Sequence, residues 1–90
     1  MNNFCVKVNP ETSRLLQEIA LEDKWTWRSG GGRIDYTDKP VLCFSYNCGI
    51  PNKGKVITHA DSMGELYSYV PISVDEALIN LGGTKSFLDL

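Results

Sequence analysis

Three consecutive glycines, Gly30 to Gly32, lie between two arginines and follow two tryptophans, and no other feature constrains the fold of this chain as much. A glycine loses more conformational entropy on folding than any other residue, so a run of three suits a place where the backbone bends sharply or approaches another group closely. The run therefore interrupts regular structure. We expect it to be either a hairpin connector or a loop that contacts a ligand.

The residues around the glycines suit a phosphate-bearing ligand. Arginine presents a planar, permanently charged fork, and the N–H groups of a glycine turn can form a concave anion site. The candidate ligand-binding residues are Trp25, Trp27, Arg28, Ser29, Gly30, Gly31, Gly32 and Arg33. The alternative is a flexible loop with solvated arginines and core tryptophans.

Trp25 and Trp27 are two residues apart, so they share one face of an extended strand. We expect one of them in the core and the other stacked on a base or a partner, with both in the core as the alternative. Strand alternation places Arg28 on the opposite face unless the turn twists it back. That alternation argues against Arg28 and Arg33 binding the same ligand.

Length and composition predict one globular domain over residues 1–82 and a C-terminal tail over 83–90. The chain has 90 residues, of which 42% are hydrophobic and 22% charged, ordinary values for a domain with a single core. No apolar run approaches the length of a membrane helix or a signal-peptide core, so we expect a cytoplasmic protein.

Charge is distributed unevenly along the chain. The net charge is −2, yet between Lys24 and Lys55 six basic residues outnumber two acidic ones, and elsewhere nine acidic residues outnumber three basic ones. The basic middle could attract an anion, whereas the acidic flanks would repel long nucleic acid. A small anion therefore fits better than DNA.

The hydrophobic pattern predicts an α+β fold. Phe4, Val6 and Val8 alternate with Cys5 and Lys7 as in a strand, and Asn9-Pro10 is a helix start followed by an amphipathic segment. Further strands are predicted over 25–28, 33–36, 41–46 and 55–59, with 41–46 central and covered on both faces. Ser73 and Glu76 form a capping-box pattern before a second helix, with Gly82 as its stop. We expect a single domain with an antiparallel sheet of four to five strands, a long helix (about 10–23) packed on one face and a short C-terminal helix (about 74–81).

Catalytic and metal chemistry are poorly supported by the sequence. His59 is the single histidine, lacks an evident partner for acid–base catalysis, and is predicted to be a partly exposed residue near a strand end. The cysteines Cys5, Cys43 and Cys48 are poorly spaced for a zinc site with His59, and we expect reduced core thiols. We therefore predict a non-enzymatic protein without metal or cofactor.

Between Phe4 and Leu81 the chain contains the segments Val-x-Val-x-Pro, Asn-Pro-Glu-Thr-Ser with Leu-Gln-Glu-Ile, Trp-x-Trp-x-Ser-Gly, Val-Leu-Cys-Phe, and Ile-Ser-Val-Asp-Glu-Ala-Leu. Together these segments resemble the small accessory proteins of tailed bacteriophages. The resemblance implies a counter-defence protein in the host cytoplasm. It suggests two functions. One is a homo-oligomer that sequesters a nucleotide signal through the tryptophans, arginines and glycines. The alternative is an inhibitor that binds a host protein through its acidic flanks.

Overall fold

Strands and helices begin and end where the local sequence provides caps and turns. The computed structural model describes residues 3–28, 31–46, 54–62, 64 and 68–82. In chain order the elements are β1 (Phe4–Lys7), α1 (Pro10–Glu22), β2 (Thr26–Trp27), β3 (Val41–Tyr46), β4 (Lys55–Ala60), β5 (Val70–Ile72) and α2 (Val74–Asn80). The α+β class is confirmed, and none of the helices described is both long and apolar enough to cross a membrane. The predicted tail, 83–90, lies outside the described residues.

Helix α1 starts with a reciprocal cap. The Thr12 N–H donates to Asn9 Oδ1 at 2.8 Å, and the Asn9 N–H donates to Thr12 Oγ1 at 2.9 Å. These bonds satisfy N–H groups that have no partner inside the helix, and Pro10 at the first position has no N–H to satisfy. The predicted bounds are confirmed to within one residue. At 13 residues, however, α1 has an ordinary length and is not the long helix expected.

Helix α2 also follows its predicted signals. The Glu76 N–H donates to Ser73 Oγ at 3.2 Å, and the Glu76 carboxylate accepts a bond from the same hydroxyl. Gly82 ends the helix in a left-handed conformation, with φ of +88°, which glycine adopts without a Cβ clash.

The sheet is mixed, so the predicted antiparallel meander is wrong. Its strand order is β2-β4-β3-β1-β5. Central strand β3 is antiparallel to both neighbours, whereas β2 is parallel to β4 and β5 is parallel to β1. Because α1 carries the chain back to the end of the sheet where β1 started, β2 must run in the direction of β1. All strands except β3 therefore share one direction.

Strand β3 is the centre of the sheet and is covered on both faces, as predicted. Five of its six residues are buried. On one face Leu42 and Phe44 pack in a core with residues of both helices, including Leu16 and Leu78. The opposite face carries a smaller cluster of Cys5, Val41 and Cys43, against which Tyr69 and Ala60 pack.

Candidate functional site

Both tryptophans of the predicted site are in the core. Trp25 and Trp27 are each only 2% exposed. The Trp25 ring centroid lies 5.3 Å from that of Phe44 and 5.1 Å from that of Tyr46, both in edge contacts. The alternative, with both tryptophans in the core, is therefore the one observed, and neither points outward, because the face that they share is the helix-covered face of the sheet.

Trp27 fixes the start and end of the glycine loop. Its backbone N–H donates to the Gly31 carbonyl at 2.9 Å, and its indole N–H donates to the Arg33 carbonyl at 2.9 Å. Ser29 and Gly30 lie outside the described residues. Since both N–H donors of Trp27 are already bound, this residue has no further donor to offer a ligand.

The predicted strand over 33–36 does not form, because this segment is held against helix α1. Gln17 is fully buried, and its Nε2 donates to the Asp35 carbonyl at 2.8 Å, while its Oε1 accepts from the Asp35 N–H at 2.9 Å. The amide of Gln17 thus takes both backbone groups that a neighbouring strand would have used. A third bond, from Gln17 Nε2 to Ser13 Oγ at 3.0 Å, fixes the amide itself.

Tyr36 follows immediately in a left-handed conformation, with φ of +54°. This conformation is uncommon for a residue with a side chain. It is supported by a hydrogen bond from the Tyr36 N–H to Asp35 Oδ1 at 2.8 Å. The turn places the Tyr36 ring on the sheet, 4.9 Å from the ring of Trp27 and 4.5 Å from that of His59.

A cavity of about 360 Å³ opens beside these rings. Its lining comprises aromatic, apolar, hydroxyl and cationic side chains, namely Trp27, Arg28, Tyr36, Ile57, Thr58 and His59. Tyr36 and His59 are half-buried, so their rings have accessible surface, and Arg28 is exposed. The partial exposure predicted for His59 is confirmed.

The cavity brings together only part of the predicted site. Trp27 and Arg28 line it, Trp25 does not, and Arg33 contributes its carbonyl to the bond with Trp27 while its side chain is exposed. In the described part of the chain no carboxylate forms an ion pair with Arg28, which leaves its charge available to an anion. Gly31 and Gly32 lie between Trp27 and Arg33.

Neither Gly31 nor Gly32 is required by the fold itself. A methyl group on Gly31 would meet only Trp27 Cδ1, at 4.0 Å, and one on Gly32 would meet nothing within 4 Å. Neither residue has a positive φ. The described chain therefore does not explain why these positions lack side chains.

Cys5 and Cys43 lie outside the cavity. They are register partners on β1 and β3 and are both buried free thiols. Burial raises the pKa of Cys5, and it raises the pKa of Cys43 to about 11. Their predicted place in the core is confirmed. Cys48 lies outside the described residues.

No known protein family, characterised protein or solved structure matches this chain. The resemblance to phage accessory proteins thus has no support from these comparisons and stays a prediction.

Sequence reasoning missed Tyr36 and His59 as parts of the site. The sequence pattern predicts Tyr36 in a strand. The contact that turns Tyr36 inward is the bond between Gln17 and Asp35, which are 18 residues apart, so no local pattern indicates it. For His59, one sequence feature could have indicated a role in a site, namely its place near the end of a strand. It lay far from the glycine loop in sequence, and the parallel pairing of β2 with β4 brings them together.

Proposed function

We propose that this protein binds a small phosphate-bearing ligand with a planar ring, a nucleotide, and holds it without chemical change. The observation that carries the proposal is the cavity that is lined by two half-buried aromatic rings and by Arg28, which has no ion-pair partner among the described residues. Planar rings bind to aromatic side chains by stacking, and phosphate binds to guanidinium through charged hydrogen bonds. Both kinds of group occur together here.

In this proposal Tyr36 and His59, and not the tryptophans, bind the planar ring of the ligand. Trp27 is 2% exposed and forms an apolar wall, whereas Tyr36 and His59 retain accessible ring surface. The two rings are 41° apart in orientation, so they form an open angle rather than a closed stack. A nucleobase would lie against one of these faces with Trp27 and Ile57 behind it.

Arg28 and the glycine loop would hold the phosphate. Arg28 is exposed at the edge of the cavity, and Gly31 and Gly32 have space where other residues have side chains. Phosphate oxygens could approach the backbone there closely, as they do in other glycine-rich anion sites. Ser29, Gly30 and the exposed side chain of Arg33 remain candidates for the same anion.

The cavity volume limits the size of the ligand. Drug-sized and cofactor ligands occupy pockets of roughly 300–1,000 Å³, and about 360 Å³ is near the lower bound. A mononucleotide fits this volume better than a dinucleotide. We therefore propose sequestration of a small nucleotide.

A binding role is favoured over catalysis by the neighbours of His59. Its ring contacts are with Tyr36 and Trp27, and no described carboxylate is hydrogen-bonded to it. A general base normally needs a partner that orients it. The phage counter-defence role and the inhibitor alternative rest on the sequence alone.

Calorimetry with AMP, CMP, GMP and UMP tests the proposal directly. We expect at least one of them to bind, and Arg28→Ala to weaken that binding by about 1.5–3 kcal/mol, which is roughly tenfold or more in affinity. Arg14→Ala is the matched control, because Arg14 is exposed on α1 and does not line the cavity. Absence of binding by all four nucleotides, or equal affinities for the Arg28→Ala variant and the wild type, would contradict the proposal.

A further inference from the structure

Strand β4 continues past the end of its edge neighbour β2. The last register pair between them is Trp27 with Ile57, and the Arg28 N–H donates to the Ile57 carbonyl at 3.0 Å. The backbone groups of Ile57 therefore point toward β2. Backbone direction alternates along a strand, and the register with β3 is regular, so the N–H and C=O of His59 point to the same side. At the level of His59, strand β2 has already ended.

In the two edge strands that the structure describes, β2 and β5, the outward-facing N–H groups are bound or absent. On β2, the outward N–H of Trp27 donates to Gly31. On β5, the Val70 N–H points to β1, where it donates to the Asn3 carbonyl, so the outward position falls to Pro71, which has no N–H. No described residue pairs with the N–H or C=O of His59. This donor and acceptor, without a partner among the described residues, belong to a residue that lines the cavity together with Thr58 and Arg28.

We infer that the cavity recognises a nucleobase by its hydrogen-bonding edge, and that the main-chain N–H and C=O of His59 are the groups that pair with it. The inference rests on the proposed function and deepens it. A base such as uracil or guanine carries an acceptor carbonyl next to a ring N–H donor, which complements one backbone acceptor and one backbone donor. The ring would then lie in the plane of the sheet edge, beside Tyr36 and the imidazole of His59, with its phosphate toward Arg28.

Methylated nucleotides test this pairing on the unmodified protein. We expect 3-methyl-UMP to bind roughly tenfold or more weakly than UMP, and 1-methyl-GMP likewise compared with GMP, because the methyl group removes the donor to the His59 carbonyl. Ribose 5-phosphate, which has no base, should bind more weakly still. If the methylated forms or ribose 5-phosphate bind as tightly as the parent nucleotides, the inference is wrong while phosphate binding stands. If no nucleotide binds, both proposals are wrong.

A pair of variants separates the backbone of His59 from its side chain. His59→Ala removes the imidazole and keeps the N–H, whereas His59→Pro removes both. The N–H of His59 is not part of the ladder with β3, and proline is tolerated where an edge strand points its N–H outward. We expect His59→Ala to retain the preference for UMP over 3-methyl-UMP and His59→Pro to bind UMP several-fold more weakly than His59→Ala. Equal UMP binding by two folded variants would overturn the role of the N–H, and if His59→Pro does not fold, the methylated nucleotides decide.

Discussion

The side-chain amide of Gln17 bonds to both backbone groups of Asp35, at 2.8 and 2.9 Å, and so connects helix α1 to the segment that carries Tyr36. A glutamine amide has the same donor and acceptor as a peptide bond, so it can replace the strand that this segment would otherwise need. The position of Tyr36 in the cavity therefore depends on a buried polar residue of a helix.

Replacing Gln17 by methionine should loosen this segment. Methionine keeps an unbranched side chain of similar length but makes neither bond, and the backbone groups of Asp35 lose their partners. We expect a loss of about 1–3 kcal/mol in the free energy of unfolding and a weaker near-ultraviolet circular dichroism signal from Trp27 and Tyr36. Glu18→Met, on the exposed side of α1, is the control and should change neither measurement. An unchanged signal in Gln17→Met would show that the segment is held by other contacts.

The residues on the apolar side of α1 should differ in how much each contributes to the free energy of unfolding. Leu16 is fully buried in the core, whereas Ile19 is only partly buried. In urea melts Leu16→Ala should lower the free energy of unfolding by about 2–5 kcal/mol through the cavity that it leaves, and Ile19→Ala by clearly less. Ile79, 65% exposed on α2, provides the control Ile79→Ala, which should have little effect. Equal losses at Leu16 and Ile19 would mean that α1 is rotated on the sheet.

Local patterns were sufficient to predict the elements whose signals lie within a few residues of each other. The start of α1 is indicated by Asn9 and Pro10. The start and the end of α2 are indicated by Ser73 and Gly82. These signals are local because capping and turn formation involve neighbouring backbone groups. The run Val41–Tyr46 predicts the central strand because a strand that is covered on both faces has a nearly continuous apolar sequence.

Strand direction and the composition of the cavity depend on contacts that are distant in sequence. The direction of β2 follows from the passage of α1 over the sheet, and the conformation of Tyr36 follows from Gln17. Short strand β5, with Pro71 at its centre, is specified by its pairing with β1 more than by its own residues. Two of the six residues that line the cavity, Trp27 and Arg28, were therefore predicted from the sequence, and Tyr36 and His59 required the structure.

The buried thiol of Cys43 should make stability fall at alkaline pH. Burial raises its pKa to about 11 from an ordinary value of 9.0, so the folded protein holds this proton more tightly than the unfolded chain. The stabilisation is complete below about pH 9 and is lost as the pH rises toward about 11.

Cys43→Ala isolates this contribution. The variant should be less stable at neutral pH because of the small cavity. Its free energy of unfolding should nevertheless fall less steeply than that of the wild type between about pH 9 and 11, by up to about 1.4 kcal/mol per pH unit. Parallel curves in urea melts across this range would show that Cys43 titrates alike in both states.

Alanine at Gly31 or Gly32 should preserve the fold and impair binding of the nucleotide. Both positions have room for a methyl group and neither has a positive φ, so each variant should be as stable as the wild type or more stable by about 0.4–1 kcal/mol, through the lower entropy of its unfolded chain. A phosphate that approaches the backbone closely would meet that methyl group, and calorimetry with the best-binding mononucleotide should then show a loss of affinity in at least one variant. Gly64→Ala is a matched control, because Gly64 also has open space around its Cα and does not line the cavity. If both variants fold and bind as the wild type does, the glycines are only a connector, and the phosphate must be held by Arg28 without them.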